Sequence, residues 1–262
     1  MKKYPIKHCI LASAIGLLAA PAIAADPPVY EAPFVAAVAP YDWTGFYAGL
    51  HGGYGWGDVD THTTYLPSPP VFNGDPFSQS TDIDGFLGGI QAGFNWQNGN
   101  FVFGVEGDIS YTGIDGTSTV GPLLLFGGGI DPGSSQTVNA EMDWFGTLRL
   151  RSGITAGERF LIYATGGLAV GNVEYSVVTD FVGPPFLYPG SSSDTEFGWT
   201  LGAGGEFAAG NGWSIKGEYL YFDLGGSTIV ASPVAPNPPF QVQTSHDLTG
   251  HIVRIGVNRK FP

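Results

Sequence analysis

Eight ionisable residues recur at alternate positions in short segments: Glu106 and Asp108, Arg149 and Arg151, Glu206, Lys216 and Glu218, and Arg254. A spacing of two puts such residues on one face of an extended strand. The set holds four acids and four bases. Charges withdrawn from water survive only when paired and hydrogen-bonded, so the chemistry open to this set is an internal ion network. The competing reading is a polar passage lined by the same charges. Asp143 and Lys260 fall on the same parity toward opposite ends of their segments. Glu106 and Arg149 lie at similar distances from the same ends of adjacent segments, which predicts that they face each other.

The elements that must position these groups are strands. In "WTGFYAGLHGGYGWGD" (43–58), one parity reads Phe46, Ala48, Leu50, Gly52, Tyr54 and Trp56, and the other reads Tyr47, Gly49, His51, Gly53 and Gly55. So much glycine opposes a helix. The same alternation returns over about 83–97, 101–113, 138–153, 159–175, 195–208, 212–224 and 248–261, making eight strands. Met142, Trp144, Leu148 and Leu150 are expected on the apolar face, with Asp143, Thr147, Arg149 and Arg151 opposite. "QNGN" (97–100), "TAGE" (155–158) and "AGNG" (209–212) read as tight hairpin turns. Residues 59–81, 114–137, 176–194 and 225–247, rich in Pro, Gly, Ser, Thr and Asp, read as four long loops. Short turns at one end and long loops at the other describe an antiparallel transmembrane β-barrel with periplasmic turns and extracellular loops. Rings near the strand ends fit aromatic girdles at the two interfaces. Eight strands enclose a lumen just wide enough for side chains, which favours a plug over a passage.

Other residues carry weaker chemistry. His62 and His246 fall in the first and fourth loops, neighbours once a barrel closes, and together suggest a haem or metal site. His51 points inward and reads as a hydrogen-bonded core residue. Asp58, Asp60, Asp82 and Asp84 share the outward parity just above the apolar band. Carboxylates there suit divalent cations shared with lipopolysaccharide phosphates. Ser, His and Asp are present without a spacing that sets a nucleophile beside a base, so no enzyme is expected. No cofactor motif is present, and the glycines of 202–205 lie inside a strand.

Residues 1–24 carry Lys2, Lys3 and Lys7, an apolar run and "AIA" at 22–24, the pattern of a cleaved signal peptide. Residues 25–40 are rich in Pro and Ala and read as a periplasmic linker, and 41–262 as the barrel. Cleavage removes Cys9, the only cysteine, and leaves seven Lys and Arg against 23 Asp and Glu, a net charge of −16. Such an acidic chain lacks the basic footprint that nucleic acid requires.

"YDWTGFYAGLHGGYGWGD" and the ending "HIVRIGVNRKF" resemble the small outer-membrane β-barrel proteins of alphaproteobacteria, porin-like surface proteins. The resemblance implies an outer-membrane location, outer-membrane lipid and lipopolysaccharide as surroundings, and a structural role in envelope integrity. Some relatives bind haem, so a loop-borne surface receptor and a narrow porin-like channel are the alternatives. It further implies recognition of the last strand by the assembly machinery through a terminal aromatic. Here Phe261 is followed by Pro262, and Arg259 stands where a second ring would be expected.

Overall fold

A computed structural model describes residues 40–66, 77–124, 129–182, 185–234 and 241–261. The expected signal peptide, and the linker up to residue 39, lie outside them. The strands are β1 (Gly45–Leu66), β2 (Phe77–Asn98), β3 (Phe101–Val120), β4 (Leu123–Leu124), β5 (Ile130–Asp131), β6 (Ser135–Ala156), β7 (Phe160–Val182), β8 (Pro185–Gly210), β9 (Trp213–Ala231) and β10 (Gln241–Lys260). Two-residue β4 and β5 pair with each other. The other eight close a barrel in the order β1-β10-β9-β8-β7-β6-β3-β2, every pair antiparallel.

The three tight turns form as the glycines require. Gly99, Gly157 and Gly212 adopt φ of 60°, 68° and 77°, and Asn211 adopts 52°, values that L side chains other than Asn and Asp rarely take. Closure leaves no unpaired edge, which is what lets a sheet cross lipid. The apolar parity faces outward: Leu50, Ile90, Ile109, Leu148, Leu168 and Leu201 are all more than half exposed. Rings bound this belt. Tyr54 packs on Phe86 and Trp199 on Tyr221 at one rim, and Phe46 packs on Phe94 at the other. The spans between these girdles are 46–56, 86–96, 101–111, 144–154, 160–170, 197–207, 213–221 and 251–261.

The barrel strands run 19 to 26 residues, where about ten suffice to cross the membrane. The surplus projects past the outer girdle as a continued barrel and corrects the four-loop expectation. Most of 59–81, 114–137, 176–194 and 225–247 is strand; β7 ends at Val182 and β8 begins at Pro185. Above the membrane the outer face meets water and takes Thr, Ser and Asp, so its composition imitates a loop.

A second correction concerns the face of Met142 and Asp143. Met142 is buried inside and Asp143 is exposed, because the β6–β7 register shifts between Met142 and Trp144. A bulge adds one residue and inverts the alternation beyond it. The inverted stretch sends Val138, Ala140 and Met142 into an apolar core with Ile114, Phe145, Leu220, Phe222 and Ile252.

The ionic lumen as candidate functional site

All eight predicted ionisable residues point into the barrel and are buried. They stand on β3, β6, β8, β9 and β10. Arg149 sits at the centre, with no side-chain exposure. Its Nη2 donates to Glu106 Oε1 at 2.6 Å and to Asp108 Oδ2 at 2.9 Å. Its Nη1 lies 3.0 Å from Glu218 Oε1, an ion pair without hydrogen-bond alignment. Arg254 reaches Asp108 at 2.9 Å and Glu218 at 2.6 Å. Lys216 donates to Glu106 at 2.7 Å, and Arg151 to Glu206 at 2.8 Å. Glu106 and Arg149 occupy directly opposed positions of the β3–β6 ladder.

Neutral groups satisfy the remaining oxygens. Tyr47 donates to Glu106 at 2.7 Å and Tyr163 to Glu218 at 2.9 Å. Thr147 donates to Asp108. Ser214 and Asn258 donate to Glu206, and Gln91 donates to Asn258. The Arg151 guanidinium lies 4.0 Å from the Tyr163 ring centre and 5.7 Å from that of Tyr47. Each tyrosine leans over a glycine of the next strand. A Cβ on Gly93 would meet the Tyr47 hydroxyl at 2.5 Å, and one on Gly204 would meet the Tyr163 hydroxyl at the same distance. Parity alone marks these helpers as inward, but it does not show which charge each one serves.

The lumen is filled below and above this layer. Below, Trp43 is buried against Val102, Leu161, Tyr163 and Ala208, with Tyr41 packed beside it. The Tyr41 amide donates to Glu158 O, and the Trp43 amide to Gln97 Oε1. The segment before β1 thus turns into the periplasmic mouth and packs there, a placement that sequence reading missed. Above lies the apolar core of Phe145, Phe222 and their neighbours, where the two rings are 5.0 Å apart. Lys260, at the periplasmic end, donates to Asp42 O.

His51 bonds Ser110 at 2.7 Å as a core residue. His62 and His246 do not form a shared site. Both lie in strands, and Thr61, not His62, is the register partner of His246. His246 is buried inside, stacked 4.6 Å from Tyr175 and bonded to Thr61, whereas His62 is exposed outside and bonded to Ser78. The wall separates them, so the shared site expected of this histidine pair falls on period-two geometry. Asp58, Asp60, Asp82 and Asp84 are exposed as expected. Asp58 faces Asp82 across the ladder, and burial, then the Asp82 carboxylate, raises its pKa. Among the described residues no three His, Cys, Asp or Glu gather closely enough to hold a metal ion by themselves.

A closed eight-stranded antiparallel barrel, apolar outside and ionic within, defines a β-barrel protein of the outer membrane. The chain belongs to the family described as the outer membrane protein beta-barrel domain, which matches residues 10–261. It is 37% identical to the 31 kDa outer-membrane immunogenic protein of Brucella melitensis, over 98% of this chain and all of that one. It is 34% identical to the 22 kDa outer membrane protein of Rhizobium leguminosarum bv. viciae, over 69% of this chain and 64% of that one. Among solved structures it overlays the outer membrane protein OprG of Pseudomonas aeruginosa with a TM-score of 0.47 at 16% identity, over 83% of this chain and 96% of that one. The location that the sequence implied, the outer membrane, stands with these relatives.

Proposed function

We propose that the protein is a closed, structural surface barrel that supports the envelope and carries its tall outer rim without conducting solutes. The observation behind this reading is the Lys216–Glu106 contact at 2.7 Å. β9 and β3 are four strands apart in either direction around the eight-stranded ring, so this bond joins opposite walls and leaves no bore at its level. Lipid and lipopolysaccharide surround the belt, and the assembly machinery reads β10 and the half-exposed Phe261. The test is planar-bilayer recording of the purified mature protein. Little steady conductance is expected from the parent, with leak current appearing in Lys216→Ala. A large, stable channel in the parent that Lys216→Ala leaves unchanged overturns the plug and restores a porin-like reading.

A further inference from the structure

Arg259 is an outward-facing charge that the lumen does not use. Among the described residues of the eight spans, every other charged side chain faces the interior or, as with Lys260, the periplasmic mouth. Its guanidinium lies 5.4 Å from the Trp213 ring centre and donates to Asn211 O in the β8–β9 turn. Five N–H groups cannot all be used by one carbonyl and one ring face.

Arg259 and Trp213 stand at the foot of a groove of about 730 Å³ on the lipid face. Its floor is Ala48, Ala92 and Gly107, register partners on β1, β2 and β3. Ala48 in turn pairs with Arg259, and Arg259 with Trp213. Leu50, Ile90, Ile109 and Val257 form the ridge along its upper side. From β9 to β3 the groove crosses five strands, about 19 Å at about 4.8 Å per step.

The groove also climbs. Trp213 is the first residue of β9, whereas Gly107 lies six residues beyond the start of β3. With strands tilted about 45°, six residues at about 3.3 Å rise roughly 14 Å. Half of a hydrocarbon core of about 30 Å is about 15 Å. The groove therefore runs from the periplasmic interface to the midplane, the depth of one leaflet. A cation marks its polar end, and aliphatic side chains line the rest.

We propose that this groove binds one acyl chain of a periplasmic-leaflet glycerophospholipid, with the lipid phosphate on Arg259. The guanidinium and the turn beneath it supply the anion contact, and the Ala–Ala–Gly floor supplies the depth. The comparable groove on the opposite wall, about 470 Å³ around Ala164, Gly166 and Leu201, has no outward cation and serves as a control.

The test is native mass spectrometry of the full mature protein, delipidated in detergent and titrated with phosphatidylethanolamine. One retained lipid is expected in the parent. Arg259→Gln should weaken retention about ten-fold, the loss of one charge-assisted hydrogen bond. Ala92→Leu, which fills the floor, should act similarly, and Ala164→Leu should change nothing. Heat-modifiable gel mobility checks that each variant is folded; if Ala92→Leu fails to fold, the Arg259→Gln and Ala164→Leu pair still decides. Equal retention by parent and Arg259→Gln overturns the proposal. So does equal loss in Ala164→Leu, preference for lipopolysaccharide over phospholipid, or no lipid retained by the parent.

Discussion

Removing Arg149 offers the sharpest test of the ionic core. In the parent, four acids and four bases balance, and Arg149 touches three carboxylates, at 2.6, 2.9 and 3.0 Å. Arg149→Ala leaves the layer one negative charge in excess, with Glu106, Asp108 and Glu218 crowded around a void. Deleting one partner of a buried pair costs about 3–5 kcal/mol. Three partners place this variant at the upper end, softened by Lys216 and Arg254, which still reach the same carboxylates. Glu106→Ala leaves the opposite excess and strands Lys216, whose closest carboxylate it is. The double variant restores neutrality, so its loss should fall short of the sum of the single losses by about 1–3 kcal/mol. The assay is reversible urea unfolding in lipid vesicles, followed by tryptophan fluorescence. Additivity within about 0.5 kcal/mol, or a single-variant loss below about 1 kcal/mol, where surface ion pairs fall, would refute the reasoning that these charges are mutually dependent.

Two further outcomes are expected. Leu148→Arg puts a charge on the lipid face and should cost about 2–4 kcal/mol near the midplane; Thr147→Arg, one residue earlier, enters the lumen beside Asp108 and should differ in size and in effect on leak current, so equal unfolding losses would contradict the assigned faces. The outer extension should respond to pH through Glu196 and His246. Burial pushes the Glu196 carboxyl up from 4.5 to about 7, beside Tyr175, Ser227, Asp194 and Asp247, so its contribution is complete below pH 4.5 and lost as pH rises through 7. Burial pushes His246 down from 6.5 to about 4, so its contribution is complete above pH 6.5 and lost as pH falls through 4. The two oppose each other between 4.5 and 6.5. Glu196→Gln should therefore expose an acid-side loss of unfolding midpoint that the parent masks, and parallel profiles for the two proteins would count against it.

Much of the barrel is written in the alternation of the chain. Period two is a local property of strands, so the outward parity of Leu50, Ile90 and Leu148 and the inward parity of Glu106, Arg149 and Glu218 follow from residue order alone. The three glycine turns are local too, since only neighbouring φ angles decide them. Glu106 opposite Arg149 was legible because both are counted from nearby hairpin ends. What residue order could not supply depends on closure and shear. Lys216 meets Glu106 across the lumen, 110 positions away in sequence, because the ring brings β9 opposite β3. The bulge that turns Met142 inward and Asp143 outward has no signature in the alternation, which reads unbroken through it. The height of the outer wall was hidden because strand faces bathed in water on one side carry loop-like residues. His62 and His246 read as loop neighbours, and only the register of β1 against β10 showed one inside the wall and the other outside. Arg259 looked like a departure from a terminal pattern. Only the packing of five strands placed it at the foot of a groove one leaflet deep, because a row of residues across a sheet exists only once the strands are side by side.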